Sequence, residues 1–349
     1  MIGQAAIGAI AGWTIGSAQV GRGLVSPLRF YDPVPVRMAV SSVLDAWIVQ
    51  SRMVRLDIPP HLCAAQYLDS WRYPAGAAGF GLANLRRGVP PPLSGALDNP
   101  LAERAEALGR ATFWGLAHYG DPDAAVSAAL YDASFDHSRD GVWCAAAVAW
   151  IVSHTAAASN LSSLLASLAG LLPPDSRFMV ALPIVRNWIG QPDGFIHGIN
   201  ACKAAGVRGD AVGTLCAALL ASGGGDFGSC VGSATTGDCD RSTAGLVAGV
   251  LAALRFGSVP PEWVSPLGEA YIGGTGLRGI DPPQAISDFA EMVIGSHQAI
   301  KSSSSPGASI VSVAVAEEPT PQEPAPLASA TATDQPTPAD PIPLPTVGE

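Results

Sequence analysis

A chain of 349 residues, 48% apolar and only 14% charged, can bury a large core as one large domain or two ordinary ones. Alanine and glycine dominate and aromatics are few, which favours close-packed helices over a sandwich. The formal net charge of −10, with no basic stripe, excludes a nucleic-acid binder of the usual kind, which needs cations to neutralise phosphates.

Residues 1–20 are apolar and small, but the first basic residue is Arg22, so the positive leader of a signal peptide is missing. Gln4, Thr14, Ser17 and Gln19 would sit badly in lipid, so the stretch is expected to be a buried core helix, with no membrane association. Residues 37–50 carry Met38, Val43, Leu44, Trp47 and Ile48 at helical spacing. Pro59 and Pro60 open a second helix, reaching Trp71, and residues 74–92 read as a glycine- and proline-rich loop. A long helix is expected over 101–119. Asp121-Pro122 starts the next, because Asp caps free N–H groups and Pro suits the first turn. Further helices are expected at 141–158, 161–169, 176–190, 207–222 and 242–256, with Asp175 or Ser176 capping the third of these and Gly170 ending the second. No period-2 alternation is long enough for a sheet; the one β-prone stretch is 309–315. The expected fold class is therefore all-α: a compact multi-helix body over 1–302.

After Ser302 the composition turns to Ser, Pro, Ala, Thr and Glu, and residues 317–349 carry six carboxylates and no Lys or Arg. Such a segment cannot bury enough apolar surface to offset its ordering entropy, so 303–349 are expected to be a disordered acidic tail. None of the six cysteines forms a C-x-x-C pair, and Cys144, Cys202 and Cys216 fall inside apolar helical patterns. All six are read as reduced, which points to a cytoplasmic protein, and their spacings fit no common zinc site.

Five colinear segments resemble the ADP-ribosylglycohydrolase family. They are NLRRGVPPPLSGALDN (84–99), GLAHYGDPDAAVSAALYDASFDHSRDGVWC (115–144), PPDSR (173–177), ALLASGGGDFGSCVGSATTGDCD (218–240) and TAGLVAGVLAALRFGSVPPEWVSPL (243–267). The resemblance implies a compact all-α body around a two-metal site, Mg²⁺ as cofactor, and hydrolysis of the glycosidic bond between ADP-ribose and a protein side chain or small group. Hard divalent cations held by carboxylates stabilise such a leaving group and orient water. In the family the carboxylates come from an acidic D-D-T triplet before the second helix and a D-x-D near the end.

Here the triplet falls on Val34, Pro35 and Val36, none of which can bind a metal, with Asp32 two places out. The family's early Gly-Asp is replaced in Trp13-Thr14-Ile15-Gly16. The D-x-D survives as Asp238 and Asp240, followed by Arg241; a shifted register makes Asp238 the second carboxylate, Cys239 the thiol and Thr236 the replaced first Asp. Asp240 or Ser242 has a simpler reading as the cap of the helix near Thr243, and capping is favoured. Asn99 and His137 match family positions and are the candidate substrate contacts, although His137 and His197 also suit structural roles. Residues 274–279, GTGLRG, fit a dinucleotide-binding pattern, but no strand precedes them and Asp281-Pro282-Pro283 follows, so they are set aside.

The expectation is a family member with weakened or lost hydrolase activity that still binds ADP-ribose or a related nucleotide, such as an ADP-ribosylated substrate. Two alternatives stay open: an active hydrolase using one metal or Asp32 with Asp238 and Asp240, and a scaffold whose acidic tail recruits a partner.

Overall fold

The computed structural model describes residues 1–19, 42–72, 74–155, 161–267 and 276–303. The expectations placed on 20–41 (Asp32 and the Val34–Val36 triplet), on 309–315 and on the tail from 304 lie outside them. Among the described residues there are sixteen α-helices and three short 3-10 turns, and the one β-type pairing is an isolated bridge between Trp71 and Leu277. The all-α expectation is met.

In chain order the helices are α1 (Ile2–Gln19), α2 (Ser42–Arg55), α3 (Cys63–Ser70), α4 (Gly76–Arg86), α5 (Leu93–Ala96), α6 (Glu106–Ala117), α7 (Pro122–Ser134) and α8 (Asp140–His154). They continue as α9 (Leu161–Ser167), α10 (Phe178–Trp188), α11 (Gly194–Ala204), α12 (Ala211–Ala221), α13 (Phe227–Ala234), α14 (Arg241–Phe256), α15 (Pro261–Val264) and α16 (Ile286–Ser303). Helices α6, α8, α12 and α14 are apolar nearly all round, and this is why they sit at the centre. Ala107–Ala117 of α6 and Ser242–Leu254 of α14 are buried without interruption. The other helices pack around these four: α7 against α6 and α8, α13 against α12 and α14, α1 against α14 and α16.

The α1–α14 contact depends on missing side chains. Gly8, Gly12 and Gly16 form a stripe at four-residue spacing, facing Gly249, Gly245 and the carbonyl of Arg241. A Cβ on Gly12 would come within 1.9 Å of the Gly245 carbonyl oxygen, closer than any side chain permits. Residues 1–19 are thus a core helix, as their composition suggests. No helix of the described residues is long and apolar enough to cross a membrane.

Several caps follow the sequence. Asp121 accepts the Ala124 N–H at 3.2 Å with Pro122 in the first turn, and Asp240 accepts the Thr243 N–H at 3.0 Å. Elsewhere the expectations need correction. Residues 76–86 form α4 instead of a loop, because Ala77, Ala78, Gly81 and Leu82 pack into the body and Gly81 lets α4 approach the Phe135 carbonyl. The long helix is shorter, beginning at Glu106, since Asn99 and the turn after it hold 99–105 in a different conformation. Helices α11, α13 and α16, outside the expected set, are present too. Ser176 has two roles at the start of α10: its Oγ accepts the Phe178 N–H at 3.3 Å, as a cap would, and its hydroxyl donates to Asp140 at 2.7 Å. Of GTGLRG, residues 276–279 form a turn in which the Gly276 carbonyl accepts the Arg72 N–H, and Arg278 N–H reaches Ser70; no helix N-terminus follows.

Candidate functional site

The matched segments meet where the start of α6, the end of α7 and the N-terminus of α14 converge. α6 presents Arg110 about one turn inside an apolar helix, ALGRATFWGLA. A guanidinium buried there requires counter-charges. α7 supplies them: Asp132 takes Arg110 Nε at 2.7 Å, and Asp136 takes Nη1 and Nη2 at 2.9 and 2.6 Å. Asp132 Oδ2 also accepts from Gln50, Tyr67 and Trp114 at 2.6, 2.7 and 3.0 Å. The side chains of Arg110, Asp132 and Asp136 are each hydrogen-bonded, Gln50 Oε1 being left without a partner among the described residues, and the cluster serves as a strut tying α2, α3, α6 and α7 together.

His137 continues the cluster. Its Nδ1 is 2.6 Å from Asp136 Oδ1 and its Nε2 is 3.6 Å from Glu106 Oε2. Burial disfavours its charge, but Asp136 and Glu106 outweigh burial and hold the imidazolium above its ordinary range. Space for the ring comes from two glycines: a Cβ on Gly95 would meet the His137 carbonyl at 2.3 Å, and one on Gly141 would meet Cδ2 at 3.0 Å. Asn99 lies beside it. Its amide donates to the carbonyls of Gly95 and Asp136 at 3.0 and 2.6 Å, and its Oδ1 accepts the Leu101 N–H at 3.0 Å. The structure thus brings Asn99 and His137 together, each held by internal bonds. His197 lies elsewhere, exposed and stacked on Trp188 at 5.0 Å.

Asp238 and Asp240 differ in environment. Asp240 is half-buried and its Oδ1 is engaged as the cap of α14. Burial pushes its carboxyl up, the Thr243 N–H pulls it back, and the charge of Glu106 raises it again, so Glu106 and Asp240 share one electrostatic environment. Asp238 is exposed. Arg241 Nε donates across the turn to the Gly237 carbonyl at 3.3 Å, which places a cation against the D-x-D. Cys239, between the two carboxylates, has its thiol pushed up to about 12, chiefly by burial. A divalent cation needs several converging oxygen ligands. Among the described residues no group of three His, Cys, Asp or Glu side chains is placed to hold one.

The sequence reading missed a second charged junction. Arg177, from the PPDSR turn, donates to Asp140 at 2.7 Å, Asp210 at 2.5 Å and Glu103 at 2.5 Å. It joins the starts of α8 and α12 to the segment before α6, and Asp210 also caps α12 through Val212 and Gly213. The signals were an Arg or Asp inside or beside apolar runs, for which burial demands a partner the sequence does not name.

The fold and this junction define a helical body of the glycohydrolase type, and the comparisons agree. The family model for ADP-ribosylglycohydrolase matches residues 17–299, and the chain belongs to that family. A solved structure titled ADP-ribosylglycohydrolase-related protein complex is similar in fold, with a TM-score of 0.56 and 20% identity over 85% of this chain and 98% of that one. Among curated proteins no sequence matches significantly.

Proposed function

We propose that this family member has lost or weakened metal-dependent hydrolysis and still binds ADP-ribose or a related nucleotide at the α6–α14 junction. The observation that carries the reading is Asp240. Its Oδ1 is engaged by the Thr243 N–H as the cap of α14, and Arg241 stands beside it on the Gly237 carbonyl, so one of its two oxygens is already used and a cation already lies at the D-x-D. The sequence adds that Val34, Pro35 and Val36 supply no oxygen side chain where the family has its acidic triplet. Support for a retained ligand is that the junction stays polar: Glu106 is 26% exposed, its Oε2 makes no hydrogen bond to protein, and Arg104 lies close enough to Asp240 to influence it.

The test is calorimetry of the full chain with Mg²⁺, with Mn²⁺ and with ADP-ribose, paired with an assay for ADP-ribose release from modified protein. Expected are metal binding no tighter than about millimolar, since few carboxylates converge, saturable ADP-ribose binding, and no release. Micromolar metal binding together with release would establish the active-hydrolase reading instead. Absence of any ADP-ribose binding would leave a non-enzymatic role.

A further inference from the structure

A second cavity lies at the opposite pole of α14. Asp240 caps the N-terminus of that helix and Arg255 is in its last turn, about 22 Å away at 1.5 Å per residue. The cavity encloses about 430 Å³. Its walls are the aliphatic side chains of Leu161, Leu164, Ile189, Leu251 and Leu254, and Arg255 is the one charged residue among those that line it. We propose that this cavity is a binding site for a small aliphatic carboxylate, with the hydrocarbon against the leucines and the carboxylate at Arg255.

Size, walls and charge each narrow the ligand. If each non-hydrogen atom takes roughly the 30 Å³ of a liquid water, there is room for about a dozen, within the range of small-molecule sites. Among the described residues the lining holds no aromatic ring, so a nucleotide base would find no stacking partner there. A flexible chain needs only aliphatic contact, and its burial is favourable in proportion to the area removed from water.

The polar groups set the sign of the head group. Thr155 Oγ1 donates to the Val152 carbonyl at 2.7 Å and Ser222 Oγ to the Ala218 carbonyl at 2.7 Å, so these two hydroxyls have used their hydrogens within their own helices. Arg255 supplies the positive charge. Its Nη1 donates to the carbonyls of Ser222 and Gly224, both at 2.8 Å, and the guanidinium lies 4.8 Å from the centre of the Phe256 ring. An arginine fixed in this way loses little further freedom on meeting a carboxylate. Among the described residues no carboxylate lines the cavity to oppose one.

The experiment is isothermal titration of the full chain with octanoate and with octylamine, which carries the same chain and the opposite charge. Octanoate should bind saturably with one site, at least about tenfold tighter than octylamine, as a hydrogen bond to a charged group implies. Arg255→Gln should weaken octanoate by about tenfold or more. Because that change also removes two carbonyl contacts, Ser162→Asp serves as a second variant: Ser162 lines the cavity yet is exposed, so an added carboxylate repels the ligand without disturbing packing. It should weaken octanoate and leave the thermal midpoint unchanged. Saturating ADP-ribose should leave octanoate affinity as it was. No saturable octanoate binding, equal affinity for octylamine, or octanoate affinity unaltered in both variants would overturn the proposal.

Discussion

Arg110 and Asp136 are joined by two parallel hydrogen bonds, 2.9 and 2.6 Å long, between side chains no more than 2% exposed. With Asp132 on Nε, the guanidinium is neutralised by two carboxylates inside the core. Burying charges costs several kcal/mol per ion, so what matters is that no member is left alone. Arg110→Leu strands Asp132 and Asp136 together and should cost about 3–5 kcal/mol, the usual range for breaking a buried pair. Urea unfolding measures it; a loss under about 1 kcal/mol would show that the strut is not structural.

The same cluster predicts a pH dependence. The His137 imidazolium is held above its ordinary value of 6.5. A group raised in the folded state contributes stability that is complete below the unfolded value and lost as pH rises through the folded one. Unfolding free energy should therefore fall as pH rises from about 6.5, and His137→Gln should flatten that slope. The lowered His118 and His297 act below 6.5, with stability rising toward it, so they leave this window clear. Asp136, lowered, contributes stability that is lost only in acid, as pH falls through its folded value. Equal slopes for wild type and variant above pH 6.5 would refute the assignment.

Gly12→Val should be severe. Its Cβ alone would stand 1.9 Å from the Gly245 carbonyl oxygen, backbone that cannot rotate away. Over-packing typically costs 1–3 kcal/mol and occasionally more, and here α1 must separate from α14. We expect about 3 kcal/mol or failure to accumulate as soluble protein, against little effect for a Gly295→Ala control in α16, where nothing lies within 4 Å and the backbone is helical.

Trp263, after the paired prolines, is 4% exposed, sits edge-on to Phe227 at 5.4 Å and covers Gly228. The turn before it is tied to α1 through the Val259 N–H and the Gln4 side chain at 2.9 Å. Trp263→Ala should cost about 3 kcal/mol, as buried aromatic truncations do. Quenching experiments showing a fully accessible Trp263 would contradict its placement.

Asp240 and Asp238 separate capping from metal binding. Asp240→Ala should lower stability by about 1 kcal/mol, the usual value of an N-cap, equally in Mg²⁺ and in EDTA. Asp238→Asn, at an exposed position, should change neither. A midpoint that rises with metal in wild type and not in Asp238→Asn would make the D-x-D a metal site after all.

The sequence by itself determined the helical class, the central position of the apolar helices and the caps at Asp121 and Asp240, because these follow from periodicity and from side chains acting within a few residues of themselves. Helix α4 was hidden because its glycines look like a loop until Phe135 is placed against Gly81. The partners of Arg110 and Arg177 were hidden for a related reason. The buried Arg110 and the half-exposed Arg177 each call for counter-charges, but Asp132 and Asp136 are 22 and 26 residues from Arg110, and Glu103, Asp140 and Asp210 are 74, 37 and 33 from Arg177. Only the packing of α6 on α7, and of α8 on α12, brings these charges within hydrogen-bonding distance, so electrostatic pairing at this range is decided by the tertiary structure.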